Sequence, residues 1–87
     1  MYGVIYDPEA IDFLNKLEKP LKERIFKKIE STKENPLHFF ERLAERNDYK
    51  LRIGDYRVIA DIDNNNRRIE VTLIGHRKNV YDKLKKR

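Results

Sequence analysis

A chain of 87 residues without a cysteine has room for one domain (1–87) with a modest core, and it excludes disulfides, thiol catalysis and cysteine-ligated metal sites together. Lys and Arg outnumber Asp and Glu by 20 to 15, giving a formal net charge of +5, a balance that favours polyanionic partners such as nucleic acid without specifying one. The opening MYGVIYDPEA has neither a basic lead nor a long apolar run, so no signal peptide and no membrane span are expected, and the lack of cysteine fits a cytoplasmic setting.

Residues 2–6, YGVIY, form a short apolar run of strand formers. Asp7-Pro8 then supplies a helix N-cap followed by proline at the first helical position. Ala10, Ile11, Phe13, Leu14 and Leu17 follow helical spacing up to Lys19-Pro20, where a second helix is predicted to begin. In that helix Leu21, Ile25 and Ile29 recur every four residues beside Phe26, while Lys22, Arg24, Lys27 and Lys28 form a solvated face, and Asn35-Pro36 ends it. The two helices read as an antiparallel hairpin.

Residues 37–47 are a connector with room for one helical turn, anchored by Leu37, Phe40, Leu43 and Ala44, and its pattern leaves its structure open. Three strands follow at 49–53, 56–62 and 68–74, joined by Gly54-Asp55 and by the Asn-rich turn at 63–66. Gly75 closes the last strand, and RKNVYDKLKKR supplies a terminal helix or a frayed basic tail. The order predicts an α+β fold: an N-terminal strand, a helical hairpin, then a three-strand antiparallel meander. The helices are expected on one sheet face, leaving the other free for a site.

A two-residue loop at Gly54-Asp55 sets Ile53 opposite Tyr56, Arg52 opposite Arg57, Leu51 opposite Val58 and Lys50 opposite Ile59. Period two then turns Leu51, Ile53, Tyr56, Val58, Ala60 and Ile62 towards the helices, and Lys50, Arg52 and Arg57 together towards the other side. These cations are either solvated, paired with Asp61 or Glu70, or a prearranged patch. Like charges directly across a ladder are destabilising, which weighs towards a patch suited to a phosphodiester, whose charge rises during transfer.

The segment YKLRIGDYRVIADID, followed by VTLIGHRKNVY, resembles the RelE/ParE toxin superfamily, in particular its RelE branch of ribosome-dependent mRNA interferases. The resemblance extends over the first strand, the helical hairpin EAIDFLNKLEKPLKERIFKKIE and the meander. It implies a small basic toxin, held inactive by a RelB-like antitoxin that wraps around it, which binds the ribosome and cuts mRNA in the A site with neither metal nor cofactor. The family's site relies mainly on Lys, Arg and Tyr. Its matching positions here are Lys50 and Arg52 in the first strand of the hairpin, Arg57 after it, Arg77 later and Tyr81 near the end. Arg52 stands where the best-known members carry a second lysine, and the interval from Arg77 to Tyr81 is shorter than in some members. Counting straight from Leu73 puts Arg77 on the core-side register unless Gly75 marks a bulge that switches faces.

The chemistry implied is attack by the RNA 2′-hydroxyl on the adjacent phosphate, giving a 2′,3′-cyclic phosphate and a 5′-hydroxyl. Lys50 is then the general base, Arg52 and Arg57 hold the phosphate, Arg77 serves the leaving 5′-oxygen, and Tyr81 stacks on a base or orients the 2′-hydroxyl. Tyr81 also lies at helical spacing from Leu84, so packing of a terminal helix competes with that role. His76 beside Arg77 either assists proton transfer or is structural, the latter being commoner at a strand end, while His38 reads as an anchor of the connector. Two other functions share the fold: a ParE-like inhibitor of DNA gyrase and a non-catalytic RNA-binding module. The cations favour the nuclease, because a gyrase-binding protein needs no phosphate-transfer cluster.

Overall fold

The computed structural model describes residues 1–86, so of the basic tail only Arg87 lies outside the described residues. The first strand, β1 (Gly3–Tyr6), turns into α1 (Pro8–Asn15) at Asp7, whose extended backbone and carbonyl bond to the Ile11 N–H (3.1 Å) start the helix with Pro8 in its first turn. After a turn at 16–18, α2 (Lys19–Ser31) carries proline at its second position, where no intrahelical N–H is needed.

The connector resolves into a single helical turn, α3 (Pro36–Phe39), and a two-residue strand, β2 (Glu41–Arg42), which the sequence pattern does not reveal. Because the chain becomes extended at Phe40, the helical spacing of the expected anchors is lost. Phe40 is buried and Leu43 half-buried, whereas Leu37 and Ala44 are exposed. The remaining elements are β3 (Tyr49–Ile53), β4 (Tyr56–Asp63), β5 (Arg68–His76) and α4 (Val80–Lys85).

The strands form one sheet in the order β1-β5-β4-β3-β2. The expected antiparallel meander is present in β3 to β5. However, β1 lies parallel to β5, with Gly3 opposite Arg68 and Tyr6 opposite Val71, so the sheet is mixed. Parallel pairing of the first and last strands leaves the intervening chain to cross over the sheet, and α1 and α2 do this on one face.

That face holds the main core. Ala10, Leu14, Ile25 and Ile29 of the two helices pack with Leu51, Ile53, Val58, Ala60, Ile62, Ile69, Val71 and Ile74 of the sheet. Ile25 and Ile29 are fully buried, and burying a side chain of this size stabilises the fold by roughly 1.5–3 kcal/mol each.

The opposite face is not left free. Ile59 and Leu73 point there, and α4 covers them with Val80 and Leu84, while Leu43 and Tyr81 pack at the margin. The run Val58-Ile59-Ala60 is apolar on both faces of a central strand, so both sides require cover. The register also shifts between β4 and β5: Ile59 pairs with Leu73 but Ala60 pairs with Val71, leaving Thr72 as the extra residue of a bulge. This corrects the expected placement of both Leu73 and the bulge. Leu73 belongs to the α4 side, and the switch of faces occurs at Thr72, before Gly75.

Gly75 has a different duty. A Cβ on it would stand 3.1 Å from the Val80 Cβ and 3.3 Å from its Cγ2, so the bare backbone of β5 lets the first turn of α4 settle on the sheet.

Candidate functional site

The β3–β4 hairpin has the register expected of its two-residue turn, with Arg52 opposite Arg57 and Lys50 opposite Ile59. Gly54 holds the turn at φ +57°, a conformation glycine adopts without strain. Arg52 and Arg57 therefore face each other across the ladder, and Lys50 lies on the diagonal to Arg57, about 7–8 Å away by ladder geometry.

The opposed arginines are accommodated because Arg57 turns back on the hairpin. Its Nη1 donates to the carbonyls of Gly54 and Tyr56, both at 2.8 Å. Arg52 goes another way, lining a cavity with Arg24, Lys27 and Lys28 of α2 beyond the edge of β3. The edge is open there because β2 pairs only with Tyr49 and Lys50.

Arg77 joins the same end of the sheet through the hairpin tip. Its backbone N–H donates to the Asp55 carbonyl (2.8 Å) and its Nε lies 3.5 Å from Asp55 Oδ1. With the bulge at Thr72, Gly75 pairs with Arg57, and two residues further Arg77 has the parity of the cationic face. Lys50 is matched to Glu41 on β2, Nζ to Oε2 3.6 Å. Both carboxylates are largely exposed, at 74% for Glu41 and 69% for Asp55, so these ion pairs contribute little and an incoming phosphate can replace them.

Tyr81 sits in the first turn of α4, half-buried against the Ile59–Leu73–Val80–Leu84 cluster. Its ring helps to pack the helix and borders the cationic face. His76 occupies the opposite parity: it pairs with Tyr56, meets that ring edge-on at 5.5 Å, and accepts the Lys78 N–H at Nδ1 (3.2 Å). These contacts match the structural reading of His76. His38 is exposed and stands edge-on to Phe39 at 4.9 Å.

The structure thus brings Arg52, Arg57 and Arg77 to one hairpin tip, sets Lys50 one diagonal away and puts Tyr81 on the helix beside them. Sequence reasoning missed five neighbours of this cluster. Asp55 was legible as part of the turn but not as the tether of Arg77. Glu41 depends on a two-residue strand with no pattern of its own. Arg24, with Lys27 and Lys28, read as an ordinary solvated helix face.

A helical hairpin on one face of a mixed sheet is a fold this chain shares with several solved toxin structures. The chain superposes on a chain of the toxin–antitoxin complex RelBE2 from Mycobacterium tuberculosis with a TM-score of 0.79 and 20% identity, covering 86% of this chain and 96% of that one. It matches the isolated E. coli RelE toxin with a TM-score of 0.74 and 22% identity over 99% of this chain and 97% of that one. The archaeal RelE–RelB complex from Pyrococcus horikoshii gives a TM-score of 0.72 and 22% identity, covering 87% and 94%. No curated protein matches the sequence significantly. The family model described as ParE toxin of type II toxin-antitoxin system, parDE, matches residues 4–81, and the chain belongs to this family within the RelE/ParE superfamily.

Proposed function

We propose that this toxin is a ribosome-dependent endoribonuclease that cleaves mRNA in the A site and thereby stops translation. The observation carrying this reading is that Arg52, Arg57 and Arg77 all stem from one hairpin tip, where the only nearby carboxylate tether among the described residues, Asp55, is exposed and exchangeable. Like charges gathered at a two-residue turn gain nothing for the fold, and a phosphodiester supplies the charge that balances them.

In this mechanism Lys50 takes the proton of the RNA 2′-hydroxyl as the oxygen attacks the adjacent phosphorus. Arg57, held in place by the Gly54 and Tyr56 carbonyls, and Arg52 across the ladder bind the non-bridging oxygens as their charge grows. Arg77 stabilises the departing 5′-oxygen, which takes a proton from water, and the products are a 2′,3′-cyclic phosphate and a 5′-hydroxyl. Tyr81 presents its ring to a base or its hydroxyl to the 2′-oxygen. No step calls for a metal or cofactor, and the reaction belongs in the cytoplasm, where mRNA is translated.

The partner that restrains it is a RelB-like antitoxin. A groove between α1 and α2 has Ile11, Leu14, Leu17 and Phe26 along its apolar floor and Lys19, Lys22 and Lys27 at its rim, a surface suited to an acidic amphipathic helix.

A second reading, inhibition of DNA gyrase, is favoured by the ParE description of the matching family. One experiment separates the two. Toeprinting on programmed ribosomes is expected to show cuts within A-site codons for the wild-type protein, and rate reductions of about 10²–10³ for Arg57→Ala and Arg77→Ala, as for removal of a transition-state donor. Undiminished cleavage by both variants sinks the assignment of Arg57 and Arg77 to the site, absence of A-site cuts by the wild-type protein sinks the nuclease, and gyrase-dependent DNA breaks without mRNA cleavage establish the second reading.

A further inference from the structure

The cavity beyond the β3 edge is lined by Arg24, Lys27, Lys28, Arg52, Ile53 and Gly54 and has a volume of about 540 Å³. Four of these six residues are cationic and none is acidic. Among the described residues, Arg24, Lys27 and Arg52 have no ion-pair partner, whereas Lys28 lies over the Phe39 ring at 4.9 Å from its centroid.

The cations are brought together by the backbone. Gly54 lacks the Cβ that would stand 3.1 Å from Arg24 Nη2, so the guanidinium of α2 rests directly on the hairpin tip. Lys27 and Lys28 follow Arg24 within the next turn of the helix, and Arg52 closes the cavity from the sheet. Repulsion among four such groups is a standing cost that an anion removes.

We propose that this cavity is a second phosphate site, which holds a backbone phosphate of the same RNA strand adjacent to the one being cleaved. Arg52 links the two sites, since it lines the cavity and also stands directly across the ladder from Arg57. An arginine fork grips two phosphate oxygens while the lysines act as point charges, a division that fits a flexible backbone of no particular sequence. The alternative occupant, an acidic helix of a protein partner, needs an apolar floor. The cavity offers only Ile53, itself buried, while the apolar floor belongs to the groove between α1 and α2, which shares only Lys27 with the cavity.

This site rests on the proposed nuclease function, and the test keeps the two apart. Binding of a 2′-O-methyl oligoribonucleotide, which has no attacking hydroxyl, is measured by fluorescence anisotropy between about 50 and 200 mM salt, values within the range where phosphate neutralisation dominates affinity. The double variant Arg24→Gln/Lys27→Gln is expected to reduce the slope of log affinity against log salt by roughly 1.4, or about 0.7 for each single-strand phosphate that the variant no longer neutralises. The charge-matched control Lys16→Gln/Lys19→Gln keeps the wild-type slope, and Lys27→Gln alone gives half the effect with the least disturbance of the hairpin.

A double variant indistinguishable from the control, or a wild-type protein that does not bind the oligonucleotide, overturns the proposal. Should polyglutamate binding fall in Arg24→Gln, whose residue lines the cavity and not the apolar groove, while oligonucleotide binding does not, the cavity belongs to a protein partner and the proposal fails. Ribosomal cleavage by Arg57→Ala is read in parallel. Its loss alongside an unchanged slope in the double variant rejects the cavity alone, while its persistence alongside a reduced slope upholds the cavity and rejects the role given to Arg57.

Discussion

Arg57 engages two carbonyls of its own hairpin through a single nitrogen, which fixes the guanidinium while leaving its other donors to a ligand. A lysine at this position keeps the charge but lacks the planar fork. Arg57→Lys is therefore expected to lose most of the cleavage rate in a ribosome assay while melting at the wild-type temperature. Away from the site, Glu70 is held protonated above its ordinary value of 4.5, first by a hydrogen bond with Asp7 and then by the charge of Asp7, by burial and by Asp61. An acid whose value is raised in the folded state binds its proton more tightly there, so its stabilising contribution is complete below about 4.5 and declines as pH rises through the raised value. Glu70→Gln is accordingly expected to raise the melting temperature at pH 7, by a free energy within the ~1 kcal/mol typical of exposed charges, and to have no effect in acid well below that value. Asp63 acts in the opposite sense. The Asn66 side chain, then the backbone N–H groups of Asn66 and Asn65, hold its carboxyl below 3.8, so its contribution is lost as pH falls.

At the scale of elements, α4 depends on a glycine in the strand beneath it. Gly75→Ala places a methyl group against Val80 and must lift the first turn of the helix, an overpacking change worth roughly 1–3 kcal/mol. Lower thermal stability and faster proteolysis after Tyr81 are the expected results, with the β3–β4 hairpin unaffected. The same element marks where the sequence stopped being informative. The register of Arg52 and Arg57 was legible because a Gly-Asp turn admits few loop lengths, and the faces followed from strict alternation. The bulge at Thr72 was not legible, because nothing in Val71-Thr72-Leu73 breaks a strand pattern, while Gly75, the visible irregularity, serves packing instead. Ile59 held the clue that the second face is covered, but an apolar residue among cations reads equally well as an exception. The parallel pairing of β1 was hidden for a different reason: pairing between residues 65 apart in sequence leaves no local trace, as with Gly3 and Arg68. In the helical hairpin, where fourfold spacing marked Ile25 and Ile29, reading and structure agree. Ile29→Ala is expected to cost about 2–5 kcal/mol, measurable by urea denaturation.

Across the whole molecule, α2 borders two different surfaces, an apolar groove and a cationic cavity, with Lys27 lining both. The groove towards α1 exposes Ile11 and Phe26, at 38% and 45%, and the side towards the hairpin carries Arg24 beside Arg52. Under the proposed function a restraining partner and an RNA strand would recognise one helix by different chemistry. The variant Ile11→Asp/Phe26→Asp is expected to escape neutralisation by the cognate antitoxin while cleaving mRNA at the wild-type rate; continued neutralisation in a coupled translation assay argues against the groove. No helix among the described residues is long and apolar enough to cross a membrane. The sheet order carries a last consequence, which concerns timing. In the sheet β1 has no neighbour other than β5, so during synthesis it waits for a strand that begins only at Arg68, and Arg77 and Tyr81 come later still. Pairings this distant in sequence form slowly and only once both partners exist. A nascent chain therefore lacks the assembled cluster until residues 68–81 have followed β1 out of the ribosome, so the closed sheet and the cationic hairpin tip arise together.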